Sequence, residues 1–306
     1  MTRPTRAGPA RRRSPRQAEQ RALWLFLVPS LVMIGCVLLV PFAYAIGLSF
    51  TDFTLGSEAT SFVGLENYGE LLVEERFWTS LTRTIAIVSS AVALEFCLGL
   101  AIAFGLWKLR FGAQPLLTLF FIPFVITPAV AALFLKWMFM GRFGLISGTL
   151  IGLGIFPPDF LGDPAWARVT VVLADAWQFT PFMILTLYAG LNTVDDSLIE
   201  AARIDGAGNR TILFRVMLPN LKFLILFILA IRFMDAFRFF DTIYVLTAGG
   251  PGTATETITM YTYALAFRFL EVGKASALGV ISLAVVALIT ALMTAALFRG
   301  RNRGDA

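Results

Sequence analysis

The sequence predicts an all-α polytopic membrane protein, with six transmembrane helices and both termini on the cytoplasmic side. Three observations carry that prediction. Of 306 residues, 58% are hydrophobic and only 15% charged, whereas a soluble domain carries about 25% charged. The apolar residues are gathered into blocks, and 22–51, 111–135 and 275–298 hold no charged side chain. A hydrocarbon core of about 30 Å needs about 20 such residues in a helix. Lys and Arg then divide unevenly between the intervening segments: sixteen lie on the side of the N-terminus and seven on the other, with Arg232 and Arg238 inside a span. Positive charge is retained on the cytoplasmic side, so the asymmetry sets the orientation.

Residues 1–21 read as a basic cytoplasmic tail. It holds seven arginines (Arg3, Arg6, Arg11, Arg12, Arg13, Arg16, Arg21), and Pro4, Pro9 and Pro15 argue against a helix there. Such a tail suits contact with anionic lipid; no nucleic-acid partner is expected. The apolar run that follows is too long for a signal core and lacks a small-residue cleavage site, so it is an uncleaved first span, 22–48. Segment 51–83 is external and acidic. The second span, 84–107, contains the isolated acid Glu95; the third, 115–136, contains Pro123 and Pro128. Prolines are tolerated in spans where neighbouring helices satisfy the freed carbonyls. The fourth span is 169–191, the fifth 223–246 and the sixth 275–298, followed by a cytoplasmic tail, 299–306. The transmembrane domain is thus 22–298, without an internal repeat of 20–50 residues.

The cytoplasmic loop 192–222 is the informative segment. Asp195 or Asp196 can cap a short helix through Leu198, Ala201 and Ala202, and Gly206 suits its left-handed end. Asn209 can cap a second helix that presents Ile212, Leu213, Val216 and Met217 on one face and stops at Pro219. Small residues at 201, 202, 206, 207 and 208 would let another protein surface approach the backbone. Local physics alone reads the loop equally well as an amphipathic connector packed on its own helices.

The spacing says more. Glu200-Ala201-Ala202, two residues, Asp205-Gly206-Ala207, ten residues, then Leu218-Pro219 resembles the coupling-loop signature of importer-type ATP-binding-cassette (ABC) permeases. Thr211, Leu213 and Phe223 depart from that signature, which has glutamine, phenylalanine and a second proline there. Phe62-Val-Gly-Leu65-Glu-Asn67-Tyr68 with Phe77-Trp78 is similar to the first external segment of carbohydrate permeases. Asp235-Ala-Phe-Arg238-Phe-Phe-Asp241 with Leu246-Thr-Ala-Gly249-Gly250-Pro251-Gly252 looks like the fifth-span exit of the maltose-type family's first permease subunit. The resemblance implies a type I ABC importer permease fold in a bacterial inner membrane. It implies docking of the loop on one of two ATPase subunits that bind ATP-Mg. A second homologous permease, an extracytoplasmic solute-binding protein and a mono-, di- or oligosaccharide complete the implied assembly.

Polar residues in the spans are the candidates for a solute path, because charge in a membrane usually faces the bundle interior or water. Asp235, Arg238 and Asp241 are spaced by three and would share one helical face as a self-neutralising ladder. That face either lines the path or locks helices together. Trp177 and Gln178 offer an aromatic face and an amide to a sugar, or Trp177 is an interface residue. Glu95 is either a path residue or is paired across helices.

Other functions fare worse. Without histidine there is no histidine catalysis or His-ligated metal. Cys36 and Cys97 sit in apolar stretches as packing residues. No P-loop sequence is present, so the chain is expected to be a non-catalytic subunit without a cofactor of its own. A secondary transporter would show inverted repeats and interrupted helices, and neither is evident. A membrane-embedded enzyme would need convergent acid–base groups. The closest competitor is an ABC permease for a polyol or glycerol phosphate, although phosphate favours extra cations and only Arg232 and Arg238 are available.

Overall fold

The computed structural model describes residues 15–302 except 58, 110 and 142; most of the basic tail and residues 303–306 lie outside the described residues. The first span is built from α1 (Pro15–Ile34), a π-helical turn (Gly35–Leu39) and α2 (Val40–Leu48). Helix α1 starts at Pro15, so 15–21 is helical where that proline was expected to oppose a helix. A proline in the first turn is harmless, since its missing N–H would have had no intrahelical partner. The π turn directly precedes Pro41, whose ring would clash with the carbonyl four residues back. Widening the turn relieves that conflict.

Helix α3 (Glu66–Val73) leads to α4 (Glu75–Trp107), whose 33 residues extend the expected second span outward by more than two turns. The third span is not continuous. It is split into α5 (Ala113–Val125) and α6 (Pro128–Phe139), which meet at 93°. Proline drives its preceding residue out of the helical region, and both Ile126 and Thr127 are extended. The carbonyl of Ile126, freed by the break, accepts from Gln178 Nε2 at 2.9 Å. After α7 (Leu145–Gly152), α8 (Pro164–Leu191) opens on Asp163, which accepts from the amides of Ala165 and Trp166 at 2.9 and 3.0 Å. Next come α9 (Asp196–Ile204), α10 (Asn209–Thr211), a second π turn (Ile212–Met217) and α11 (Leu218–Asn220). The fifth span also breaks: α12 (Lys222–Phe237) ends before Arg238, and α13 (Asp241–Leu246) is separate. The chain closes with α14 (Ile258–Tyr263), a third π turn (Ala264–Arg268) and α15 (Val272–Asn302). Among the described residues four helices are long and apolar enough to cross a membrane alone, or up to six if the bent pairs α5 with α6 and 209–220 with α12 each count as one span.

Lipid tails are as apolar as leucine, so helices in a membrane are held by close packing and buried polar bonds. Both hold α4 to α8. A Cβ on Gly99 would sit 2.5 Å from the Met183 Cβ, so the two backbones meet there with no room for a side chain. Val88, Leu100, Met183, Leu187 and Leu191 continue that seam into the core that receives α12.

The external segments form a tied cap. Asn67 Nδ2 donates to the carbonyls of Ser49 and Thr51 at 2.9 and 2.8 Å, and Tyr68 Oη bonds Ser49 Oγ at 2.7 Å. This is the structural use of the Asn67-Tyr68 motif: it satisfies the last carbonyls of the first span. Arg76 grips Glu256 through two bonds of 3.0 and 2.7 Å. Gly249 and Gly252 adopt the left-handed backbone (φ +88 and +59) that the expected turn requires.

Candidate functional site

Two sites emerge, one at each end of α12. The first is a bent knob made of α9, α10, the second π turn and α11. Asp195 caps α9 by accepting from the Ser197 amide at 2.9 Å, and that bond holds its carboxyl below the usual carboxylate range. Gly206 turns the chain with φ +80, and an added Cβ would meet nothing within 4 Å, so glycine is required by backbone geometry rather than by space. The cap of the second helix falls on Gly208, not Asn209, which lies inside the first turn and makes no capping bond. The π turn ends just before Pro219, as the first one ends just before Pro41. Asn220 Nδ2 then takes up the Val216 carbonyl at 2.7 Å, and the chain bends by 74° into α12.

The knob has two faces. Ile199, Ile212, Leu213 and Met217 are buried against Leu187, Leu191 and Val194, as the apolar spacing required. Glu200, Ala201, Asp205 and Pro219 are exposed, with Ala202, Ala207 and Leu218 at the margin. Leu198, Phe214 and Ile204 also point outward, and Ile204 is 86% exposed. Those three apolar side chains carried no special signal in the sequence.

The second site lies at the other end of α12, within and just after its last two turns. Arg232 is 2% exposed and ties its own helix, α12, to α4 and α8. Its Nε and Nη2 donate to Glu95 at 2.8 and 2.9 Å, Nη2 also donates to Asp175 at 2.6 Å, and Nη1 donates to Asp235 at 3.3 Å. The guanidinium lies 3.9 Å from the centre of the Phe179 ring. Asp235, 50% exposed, carries the network to a cavity of about 870 Å³ walled by Phe124, Phe179 and Phe182. A second cavity of about 650 Å³ has Phe240, Tyr263 and Phe267 in its wall. Arg238 lines both cavities and the polar recess between them, which also holds Asp235 and Asp241.

This arrangement corrects three expectations. The ladder of Asp235, Arg238 and Asp241 does not form, because α12 ends at Phe237 and Asp241 begins another helix. Asp235 turns instead to Arg232, and its contact with Arg238 is a loose 3.8 Å. Trp177 and Gln178 do not act as a pair. Gln178 is buried on the Ile126 carbonyl, while exposed Trp177 lines an apolar recess with Leu98, Phe120 and Leu173. Interrupted spans are present, so their supposed absence no longer argues against a secondary transporter. Glu95 resolves toward pairing. The centre of the network, Arg232 with Asp175, was visible only as charges within spans, and nothing in their spacing joined them.

Comparison with known proteins now narrows the reading. The model of the family "Binding-protein-dependent transport system inner membrane component" matches residues 95–302. The trehalose transport system permease protein SugA of Mycobacterium tuberculosis is 36% identical over 279 residues, covering 91% of this chain and 89% of that one. The trehalose/maltose transport system permease protein MalF of Thermococcus litoralis is 35% identical over 288 residues, covering 94% and 96%. Among solved structures, a chain of a bacterial ABC transporter involved in the import of the acidic polysaccharide alginate superposes with a TM-score of 0.80. It is 20% identical and covers 92% of this chain and 96% of that one, a likeness of fold.

Proposed function

The chain belongs to the family of binding-protein-dependent transport system inner membrane components, and from that membership we propose that it is the permease subunit of an ATP-driven ABC importer for saccharides. One observation carries the mechanism: α12 physically joins the exposed knob to the Arg238 cavities. The knob is packed rigidly on the core by one face and leaves Leu198, Ile204 and Phe214 free on the other. A partner that moves the knob therefore tilts α12 and shifts Asp235 and Arg238 at its far end. Coupling of this kind needs an element with two positions that both sites bias, and α12 with its knob is that element.

The partners follow from the parts. One of two ATPase subunits holding ATP-Mg grips the knob residues Glu200, Ala201, Ala202, Asp205, Gly206, Ala207, Leu218 and Pro219, together with the three exposed apolar side chains, and the other takes the counterpart loop of a second permease. This chain hydrolyses nothing itself. A second homologous permease completes the path, and an external binding protein delivers the solute to the cap. The solute is a mono-, di- or oligosaccharide. Small-molecule cavities run to about 300–1,000 Å³; here aromatic rings face sugar C–H surfaces, and Asp235 and Arg238 offer an acceptor and donors to hydroxyls. Trehalose and maltose, named for two relatives, are the first solutes to test.

The test is solute-stimulated ATP hydrolysis by the complete importer in proteoliposomes with Ile204→Glu. Burying an unpaired carboxylate in an apolar cleft costs several kcal/mol, so stimulation should fall at least about tenfold and the ATPase should be lost on purification. Full stimulation in that variant refutes docking through the knob.

A further inference from the structure

Resting on the reading of the Arg238 cavities as a solute path, we propose that this chain admits uncharged glycosides and excludes anionic ones such as sugar phosphates and uronates. The charged residues lining the two cavities and the recess between them are Arg232, Asp235, Arg238 and Asp241. Counting two arginines against two aspartates suggests a neutral wall, but Arg232 is not free to meet a solute. It is buried, and four donor contacts already go to Glu95, Asp175 and Asp235. A guanidinium has five N–H groups in all. Glu95 and Asp175 stand directly behind it and take three of those donor contacts. Asp175 Oδ1 is buried without a hydrogen-bond partner among the described residues, a sign that acceptors here already outnumber donors.

Arg238 remains as the cation presented to the path, at 78% exposure. An anion that reached it would lie beside the half-exposed carboxylate of Asp235, 3.8 Å from the Arg238 guanidinium, and in the recess shared with Asp241. Sites built for phosphate do the opposite: they gather several cations with unengaged donors. The rings of Phe124, Phe179 and Phe182 make one wall apolar, and a lower local dielectric strengthens the repulsion between like charges. A neutral glycoside meets none of this. Its hydroxyls can donate to Asp235 and accept from Arg238, and its C–H faces can lie on the rings. Glycerol phosphate, the competitor left open by the sequence, is therefore disfavoured by the same count.

The binding protein would impose its own selection, so the test leaves it out. The complete membrane complex in nanodiscs is presented with glucose, maltose and trehalose, each paired with its 6-phosphate, and contact is read by saturation-transfer NMR. At least one neutral sugar should bind, with its phosphate weaker by at least about tenfold. Asp235→Asn combined with Asp241→Asn should bring that ratio close to one. A phosphate that binds as well as its parent sugar overturns the charge selection and leaves the path standing. If no sugar binds while the full importer still transports one, the cavities are not the path, and this inference falls with that reading.

Discussion

Among single residues, Arg232 bears the heaviest structural demand. A buried ion pair adds little net stability while intact, because desolvation offsets its attraction, but removing one partner strands the other charges. Arg232→Met strands Glu95 and Asp175 in the core. The expected loss is about 3–5 kcal/mol, read as a lower midpoint of thermal unfolding in detergent. Adding Glu95→Gln and Asp175→Asn to that variant should recover part of the loss, and strict additivity of the three changes would show that they do not act as one unit. Asp195 makes a second residue-level prediction, with its sign fixed by direction. Its carboxyl is held below the usual range in the folded chain, so the cap is complete at neutral pH. It fails as pH falls through that lowered value. Protection of the Ser197 amide against hydrogen exchange, taken relative to its intrinsic rate at each pH, should be lost only at the acidic end, and Asp195→Ala should lack that protection throughout. A cap at Asp195 or Asp196 was legible in the sequence because a cap lies within three residues of what it caps, and the structure chooses Asp195. The Arg232 network was not, because its partners lie 137 and 57 residues away, and only the stacking of α4, α8 and α12 brings them together.

At the level of elements, glycines on one helix separate packing from propensity. Gly99 of α4 faces Met183 of α8 with no room for a Cβ, whereas Gly105 on the same helix has nothing within 4 Å. Gly99→Val must push α8 away or force rotamers, at about 1–3 kcal/mol for an overpacked contact. Gly105→Ala meets no obstacle and gains about 0.5–1 kcal/mol of helix preference. Thermal unfolding of the two purified variants checks both, and equal stability would mean that α4 and α8 do not pack as described. The breaks between elements divide the same way. The bend at 126–127 has a local cause in Pro128, yet an unbroken third span was expected because prolines can be absorbed in membranes; here the break persists, and Gln178 satisfies its carbonyl. The end of α12 at Phe237 has no proline or glycine to announce it. It falls where Arg238, Asp235 and Asp241 meet a recess between cavities, where irregular backbone is tolerated inside a membrane.

For the whole molecule, everything turns on which side of the membrane the knob occupies. The charge bias places it with the N-terminus, since sixteen of the Lys and Arg residues lie on that side against seven on the other. The structure adds what the count lacks: surface sites on each side that a reagent can reach. Ile204 is at the tip of the knob and Thr253 is exposed in the external turn after Gly252. Cys36 and Cys97, both exposed on the protein surface within the first and second spans, are first replaced by alanine to give a silent background. A cysteine introduced by Thr253→Cys should then react with a membrane-impermeant maleimide in intact spheroplasts. One introduced by Ile204→Cys should react only in inside-out vesicles. A hydrocarbon core of about 30 Å separates the two environments, so leakage of label cannot blur the result. Reaction of both positions from outside would mean that no cytoplasmic ATPase can reach the knob, and the link through α12 would have nothing to drive it. The expected pattern would put the driver and the solute at opposite ends of one helix, which is what an importer powered from inside requires.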